Sequence, residues 1–89
     1  MTWSIKYSKD ADKFLQKQPQ IKDKIIGEIK KFILKLNGET VSIDFKKLSG
    51  EWADYYRIRK GRVRIVFQIN DNENIILIFN IDFRGNVYK

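Results

Sequence analysis

The chain contains no histidine and no cysteine, and these two absences exclude several common kinds of active site. Without histidine there can be no Ser-His-Asp triad and no pair of catalytic histidines. Without cysteine there is no disulfide bond, no thiolate nucleophile and no zinc–thiolate site. The sequence also lacks a Walker-type glycine loop and a cluster of carboxylates that would hold two metal ions. We therefore expect no cofactor and no metal.

Long hydrophobic runs are also missing. The longest apolar stretch, Ile75–Phe79, is far too short to span a bilayer, and the N-terminus lacks the basic segment and apolar run of a secretory signal. A chain of 89 residues, 43% of them hydrophobic, can bury one modest core. We therefore expect a soluble cytoplasmic protein with one domain that spans residues 1–89 and no membrane association.

Positive charge is abundant and unevenly distributed. The net charge of +7 favours an acidic partner, which could be nucleic acid, an anionic membrane or an acidic protein. All five arginines lie at or after residue 57, whereas all but two of the lysines lie before residue 50. Because the planar guanidinium binds phosphate through two hydrogen bonds, the arginine-rich half is the better candidate for phosphate binding.

The first half of the chain predicts a strand and two helices. Alternation over Trp3–Tyr7 indicates a strand, and Ser8 is a suitable N-cap for a short helix. Pro19 suits the first turn of a second helix, which Asn37-Gly38 should end. The apolar stripe of that helix is Ile21, Ile25, Ile29, Phe32, Ile33 and Leu36, and its outer face is Lys22, Lys24, Glu28, Lys31 and Lys35.

The second half predicts three strands after a less regular stretch from Glu39 to Asp54. The strands are Tyr55–Arg59, Arg62–Ile69 and Ile75–Phe83, and the first turn is Lys60-Gly61. The predicted fold is α+β with the order β-α-α-β-β-β. An antiparallel sheet, joined by the N-terminal strand, packs against the helical hairpin.

Strand alternation places several arginines on one surface. If Tyr56 and Ile58 face the core, Arg57 and Arg59 face away from it, and Arg64 does the same on the next strand. No acidic residue lies between Tyr55 and Gln68, so these cations would repel one another until a polyanion bound them. The alternative is a charged surface that is only solvated.

If the bound polyanion were RNA and the chain cleaved it without a metal, proton transfer would need a group other than histidine, which the chain lacks. Tyr88 is the candidate, although a packing anchor near the chain end is the alternative for it. Asp82 is a single carboxylate near the arginines, which is weak support for a metal, and Asp71 and Glu73 are better explained as turn residues.

Four segments together resemble the RelE/ParE superfamily of toxins from toxin–antitoxin systems. They are Leu48-Ser-Gly, Tyr55-Tyr-Arg-Ile-Arg, Gly61-Arg-Val-Arg-Ile-Val-Phe-Gln and Ile81-Asp-Phe-Arg84-Gly-Asn-Val-Tyr88. The resemblance covers essentially the whole chain and favours the RelE-like branch. It implies a metal-independent endoribonuclease that cuts mRNA in the ribosomal A site, by attack of a ribose 2′-hydroxyl on the adjacent phosphate. It also implies a cognate antitoxin in a hetero-oligomer.

The resemblance also assigns roles to residues. Arg57 or Arg59 would help activate the 2′-hydroxyl, Arg64 and Arg84 would bind the scissile phosphate, and Tyr88 would stack on a base or transfer a proton. The flanking basic residues predicted to bind RNA are Lys46, Lys47, Lys60 and Arg62.

The sequence departs from the family pattern at a few positions. Phe83 stands where many relatives carry histidine, and RelE has lysines in place of Arg57 and Arg59. Two other functions therefore remain open: inhibition of DNA gyrase in the manner of ParE, and a non-catalytic role in binding RNA or antitoxin.

Overall fold

The computed structural model of the chain describes residues 3–83, which form a five-stranded sheet with a helical hairpin on one face. Arg84 and Tyr88 lie outside the described residues. No helix within residues 3–83 is long and apolar enough to cross a membrane. The strands and helices are β1 Ser4–Tyr7, α1 Lys9–Lys17, α2 Lys22–Leu36, β2 Asp44–Lys47, β3 Tyr56–Lys60, β4 Val63–Asn70 and β5 Ile75–Phe83.

The strand order is β1-β5-β4-β3-β2, and the antiparallel pairing of β3, β4 and β5 confirms the three predicted strands. Strand β5 lies in the interior of the sheet. The sheet is antiparallel as expected except at one edge, where the N-terminal strand β1 pairs with β5 in parallel. Three successive antiparallel pairings relate β2 to β5, so β1 runs opposite to β2. The helical hairpin between β1 and β2 brings the chain back at the far edge in the reverse direction.

The short strand β2 was not predicted. Its sequence, Asp-Phe-Lys-Lys, has one apolar residue and therefore no alternation that would reveal a strand. In the structure it pairs with β3 in antiparallel register, with Asp44 opposite Arg59 and Lys46 opposite Arg57. This edge strand therefore adds charged side chains beside the arginines of β3.

Ser8 begins α1 as predicted and also joins it to the sheet. Its hydroxyl oxygen accepts a hydrogen bond from the Ala11 amide at 3.1 Å, and the hydroxyl donates to the carbonyl oxygen of Phe79 in β5. Pro19 begins a short 3₁₀ turn, Pro19–Ile21, that precedes α2. Helix α2 ends at Leu36, with Asn37 as its C-cap as expected, and Gly38 has a φ of +91°, which glycine adopts without steric strain.

The core lies between the helices and the inner face of the sheet, which is the face that the helices cover. Phe32 of α2 is 1% exposed, and its ring packs against Phe45, Tyr56 and Phe67 from three strands, with ring centroids 4.9–5.8 Å apart. The other residues of this core are Ala11, Leu15, Ile21, Ile25, Ile29, Ile58, Val63, Ile65, Ile76, Ile78 and Ile81.

Two expectations for α2 are wrong. Glu28 was placed on the outer face but is only 5% exposed, because it lies one turn from both Ile25 and Phe32 and so shares their face. Its carboxylate is 3.3 Å from the ammonium of Lys31, which supplies a counter-charge. Leu36 was placed in the apolar stripe but is 45% exposed, since it is the last residue of the helix and is not part of the core cluster.

Candidate functional site

The outer face of the sheet, opposite the helices, carries three of the four hairpin arginines of residues 3–83, namely Arg57, Arg59 and Arg64. Residues opposite each other in an antiparallel pair project to the same side of a sheet. Arg59 lies opposite Arg64, and Arg57 lies opposite Lys46 of β2. The two-residue turn Gly61-Arg62, with Gly61 at a φ of +58°, brings β3 and β4 into this register.

These basic side chains line a concave site, which we call the arginine cavity. It has a volume of about 360 Å³ and is lined by Lys46, Leu48, Ser49, Trp52, Arg57, Arg59 and Arg64. Leu48, Ser49 and Trp52 belong to the loop between β2 and β3, in which the Leu48 amide donates to the Tyr55 carbonyl at 3.0 Å. A rigid sheet thus supplies the cations, and the loop supplies the remaining wall.

Asp44 provides a counter-charge that the sequence argument excluded. Its carboxylate accepts a hydrogen bond from Arg59 Nε at 2.8 Å and lies 3.4 Å from an Nη of Arg57. The hydrogen bond from Arg59 and the charges of both arginines hold the pKa of Asp44 below its usual value, despite some desolvation. The expected absence of an acidic neighbour is therefore wrong. One carboxylate still balances only part of the charge of the four cations that line the arginine cavity.

Arg57 is the most buried cation of the site, with 9% exposure. A guanidinium that has lost most of its hydration needs good partners, and the contact of Arg57 with Asp44 is long at 3.4 Å. Its hydrogen-bonding capacity is thus only partly used by residues 3–83. A phosphate oxygen in the arginine cavity would supply the missing acceptor.

Arg64 is half-buried and has no side-chain ion pair among residues 3–83. Asp82 is opposite it on β5, but the Asp82 carboxylate accepts a hydrogen bond from the Phe83 amide at 2.6 Å. Asp82 therefore does not neutralise Arg64 at contact distance. Across the described part of the chain, no three acidic side chains form a group that could hold a metal ion.

The remaining predicted site residues lie elsewhere. Lys47 is opposite Tyr56, and Lys60 is opposite the core residue Val63, so both project toward the inner face. Arg62 is exposed in the hairpin turn. None of these three lines the arginine cavity, whereas Lys46 does. The two predicted C-terminal residues, Arg84 and Tyr88, lie outside the described residues.

This fold is that of the RelE/ParE superfamily of toxins, and solved structures of such toxins match most of the chain. A chain of the archaeal RelE–RelB complex from Pyrococcus horikoshii OT3 matches with a TM-score of 0.67 and 27% identity, over 97% of this chain and 99% of that chain. The RelB–RelE antitoxin–toxin complex from Methanococcus jannaschii matches with a TM-score of 0.64 and 28% identity, over 89% of each chain.

The chain belongs to the family of ParE toxins of type II toxin–antitoxin systems, parDE, whose model matches residues 5–88. Toxin RelG of Mycobacterium tuberculosis (strain ATCC 25618 / H37Rv) is 24% identical over 90 residues, which cover all of this chain and 99% of RelG. The superfamily and the α+β fold predicted from the sequence are confirmed. The family carries the ParE name and the relative carries the Rel name, so both branches supply candidate functions.

Proposed function

We propose that this type II toxin is a metal-independent endoribonuclease that cleaves mRNA in the ribosomal A site and thereby stops translation. The observation that carries the proposal is the arginine cavity, in which Arg57, Arg59 and Arg64 converge on one concave surface. Convergent guanidinium groups bind and stabilise a phosphate that gains negative charge during reaction. The relative RelG and the RelE–RelB structures favour the RelE-like branch.

The chemistry proposed here needs charge stabilisation and two proton transfers. The ribose 2′-oxygen attacks the adjacent phosphorus and loses its proton to a base. The bond from phosphorus to the 5′-oxygen breaks, and that oxygen receives a proton from an acid, leaving a 2′,3′-cyclic phosphate and a 5′-hydroxyl. Arg64 and Arg57 would bind the non-bridging oxygens of the charged intermediate. Arginine is a poor base, so we assign proton transfer to Tyr88. We assign Arg84 to phosphate binding, together with Arg64 and Arg57.

A cognate antitoxin is the proposed protein partner. The related archaeal structures are complexes of a RelE with a RelB, and this chain carries a matching fold. Its net charge of +7 and its arginine cavity favour an acidic partner that would cover the site and block RNA. The proposed resting form is therefore a toxin–antitoxin hetero-oligomer.

Brief expression of the toxin is expected to stop translation and to create new mRNA 5′ ends within codons. Sequencing of 5′-hydroxyl ends after a few minutes of induction measures the effect directly. A catalytically impaired variant, Arg64→Ala, should create far fewer of these ends, whereas Arg62→Ala removes an arginine outside the arginine cavity and serves as the control. Arrest of translation with no new mRNA ends would contradict the nuclease.

Inhibition of DNA gyrase is the second candidate, and the match to the ParE toxin family favours it. It predicts loss of supercoiling by purified gyrase and induction of the DNA-damage response, while mRNA stays intact. A third outcome, ribosome binding with neither cleavage nor gyrase inhibition, would indicate a non-catalytic relative that binds RNA or antitoxin.

Asp44→Asn is expected to strengthen binding of a short single-stranded RNA roughly fivefold at low salt. A unit charge at about 4 Å in water contributes about 1 kcal/mol, and the aspartate competes with phosphate for Arg59 and Arg57. Fluorescence anisotropy at several salt concentrations checks this, and the salt dependence should become steeper. Asp71→Asn makes the same charge change at the other end of β4 and should have a smaller effect. Weaker binding by Asp44→Asn would show that the carboxylate chiefly positions the arginines.

A further inference from the structure

Three aromatic rings pack together on the outer face of the sheet, beside the arginine cavity. Trp52, Tyr55 and Phe79 form a triangle of T-shaped contacts, with ring centroids 5.0, 5.6 and 5.1 Å apart. None of the three belongs to the core cluster beneath the helices. This aromatic triad is therefore a second, smaller apolar cluster on the face that carries the basic residues.

The backbone holds the triad in place by two local features. After the 3₁₀ turn Gly50–Trp52, the Tyr55 amide donates to the Trp52 carbonyl at 2.9 Å, which fixes the spacing of the first two rings. The pairing of β4 with β5 contains a bulge. The neighbouring β4 residues Val66 and Phe67 lie opposite Asn80 and Ile78 of β5, so Phe79, which lies between those two, has no partner on β4. Such bulges redirect side chains beside functional sites, and here the unpaired residue completes the triad.

Trp52 belongs to both the triad and the arginine cavity. Its side chain is half-buried, since two rings pack against it, and it also lines the cavity together with Arg57, Arg59 and Arg64. An indole held rigidly beside guanidinium groups matches the two chemical parts of a nucleotide. The cations suit the phosphate, and the aromatic surface suits the base.

We propose that Trp52 is a stacking platform for a nucleobase next to the phosphate that Arg57, Arg59 and Arg64 bind. The inference rests on the proposed function, because it takes RNA as the substrate, and it adds a binding residue to that substrate site. Stacking on an aromatic ring tolerates every base, so Trp52 contributes affinity for bases as a class. Tyr55 and Phe79 act as positioning residues that fix the indole.

The chain has only two tryptophans, so replacing one of them lets fluorescence report on the other. Trp3→Phe leaves Trp52 as the only tryptophan, and its fluorescence is titrated with a short 2′-O-methyl RNA that cannot be cleaved. A parallel titration uses an abasic oligomer of the same length, which keeps the phosphates and lacks the bases. We expect the RNA to quench the fluorescence and to bind at least several-fold more tightly than the abasic oligomer.

Trp52→Leu should weaken binding of the RNA roughly 5- to 100-fold and leave binding of the abasic oligomer unchanged. Trp52→Phe keeps an aromatic ring, so it should retain most of the RNA affinity and also guards against misfolding of the leucine variant. Trp3→Leu removes a tryptophan outside the arginine cavity and should change neither affinity. Equal losses for both oligomers, no loss for either, or no binding of RNA at low salt would each overturn the proposal.

The two proposals fail in different ways. If the toxin cuts mRNA and Trp52→Leu binds RNA as well as the parent does, the stacking platform is wrong and the nuclease stands. If expression creates no mRNA ends and purified protein still distinguishes RNA from the abasic oligomer through Trp52, the nuclease is wrong and the platform stands.

Discussion

Replacement of Arg64 by alanine is expected to slow mRNA cleavage on the ribosome by a factor of about 10² to 10³. Loss of one donor that stabilises a developing charge has this typical effect. Arg64 has no side-chain ion pair within residues 3–83, so its guanidinium is available to the phosphate. The measurement is single-turnover cleavage of ribosome-bound mRNA by purified toxin, with the variant in excess so that weaker binding does not limit the rate.

Two controls make this result specific. Arg64→Lys keeps the charge and loses the planar pair of donors, so it should recover only part of the rate. Arg62→Ala removes an equal charge from the exposed hairpin turn and should stay within a few-fold of the parent. A rate for Arg64→Ala that matches that of Arg62→Ala would show that the effect is general electrostatic attraction, and Arg64 would have no specific role.

The fold was predictable where the signal is local. Periodicity located both helices and the three strands of the meander, and Ser8 and Asn37-Gly38 marked helix ends that the structure confirms. Strand β2 was missed because its single apolar residue, Phe45, gives no alternation, and it is held by its pairing with β3. The parallel pairing of β1 joins residues about seventy positions apart, and no local pattern encodes that.

The candidate site was also predictable only where its residues are close in sequence. Alternation within the hairpin sufficed to place Arg57, Arg59 and Arg64 on one face, because the hairpin is contiguous in sequence. No acidic neighbour was expected, because none lies within the hairpin, but Asp44 reaches the arginines from the unpredicted strand β2. Lys47 and Lys60 were grouped with the site by sequence proximity, whereas the pleat turns both toward the inner face.

Asp44 and Trp52 are two residues of the site that the sequence pattern did not predict. Asp44 of β2 contacts two arginines of the cavity, and Trp52 of the following loop lines the cavity, but both segments were predicted only as an irregular stretch. The core residues of the inner face hold β2 and β3 in register, so the geometry of the outer face depends on packing on the opposite side of the sheet. Phe32 is where this dependence can be tested.

Phe32→Ala is expected to lower the free energy of unfolding by about 3–5 kcal/mol, which is a large part of the 5–15 kcal/mol typical of small domains. The ring is 1% exposed and contacts Phe45, Tyr56 and Phe67, so its loss leaves a cavity shared by β2, β3 and β4. Urea denaturation followed by far-UV circular dichroism measures the change.

Leu34→Ala on the same helix is the matched control for Phe32→Ala, because Leu34 is 39% exposed and its loss should change the free energy of unfolding by less than about 1 kcal/mol. Phe32→Leu should fall between the two, since it fills part of the cavity. Phe45 packs against Phe32 and lies between Asp44 and Lys46 on β2, so loss of the Phe32 ring should also disturb those two charged residues. We therefore expect Phe32→Ala to bind short RNA more weakly, even under conditions where it remains folded. Equal stability of the alanine variants at positions 32 and 34 would contradict the assigned core.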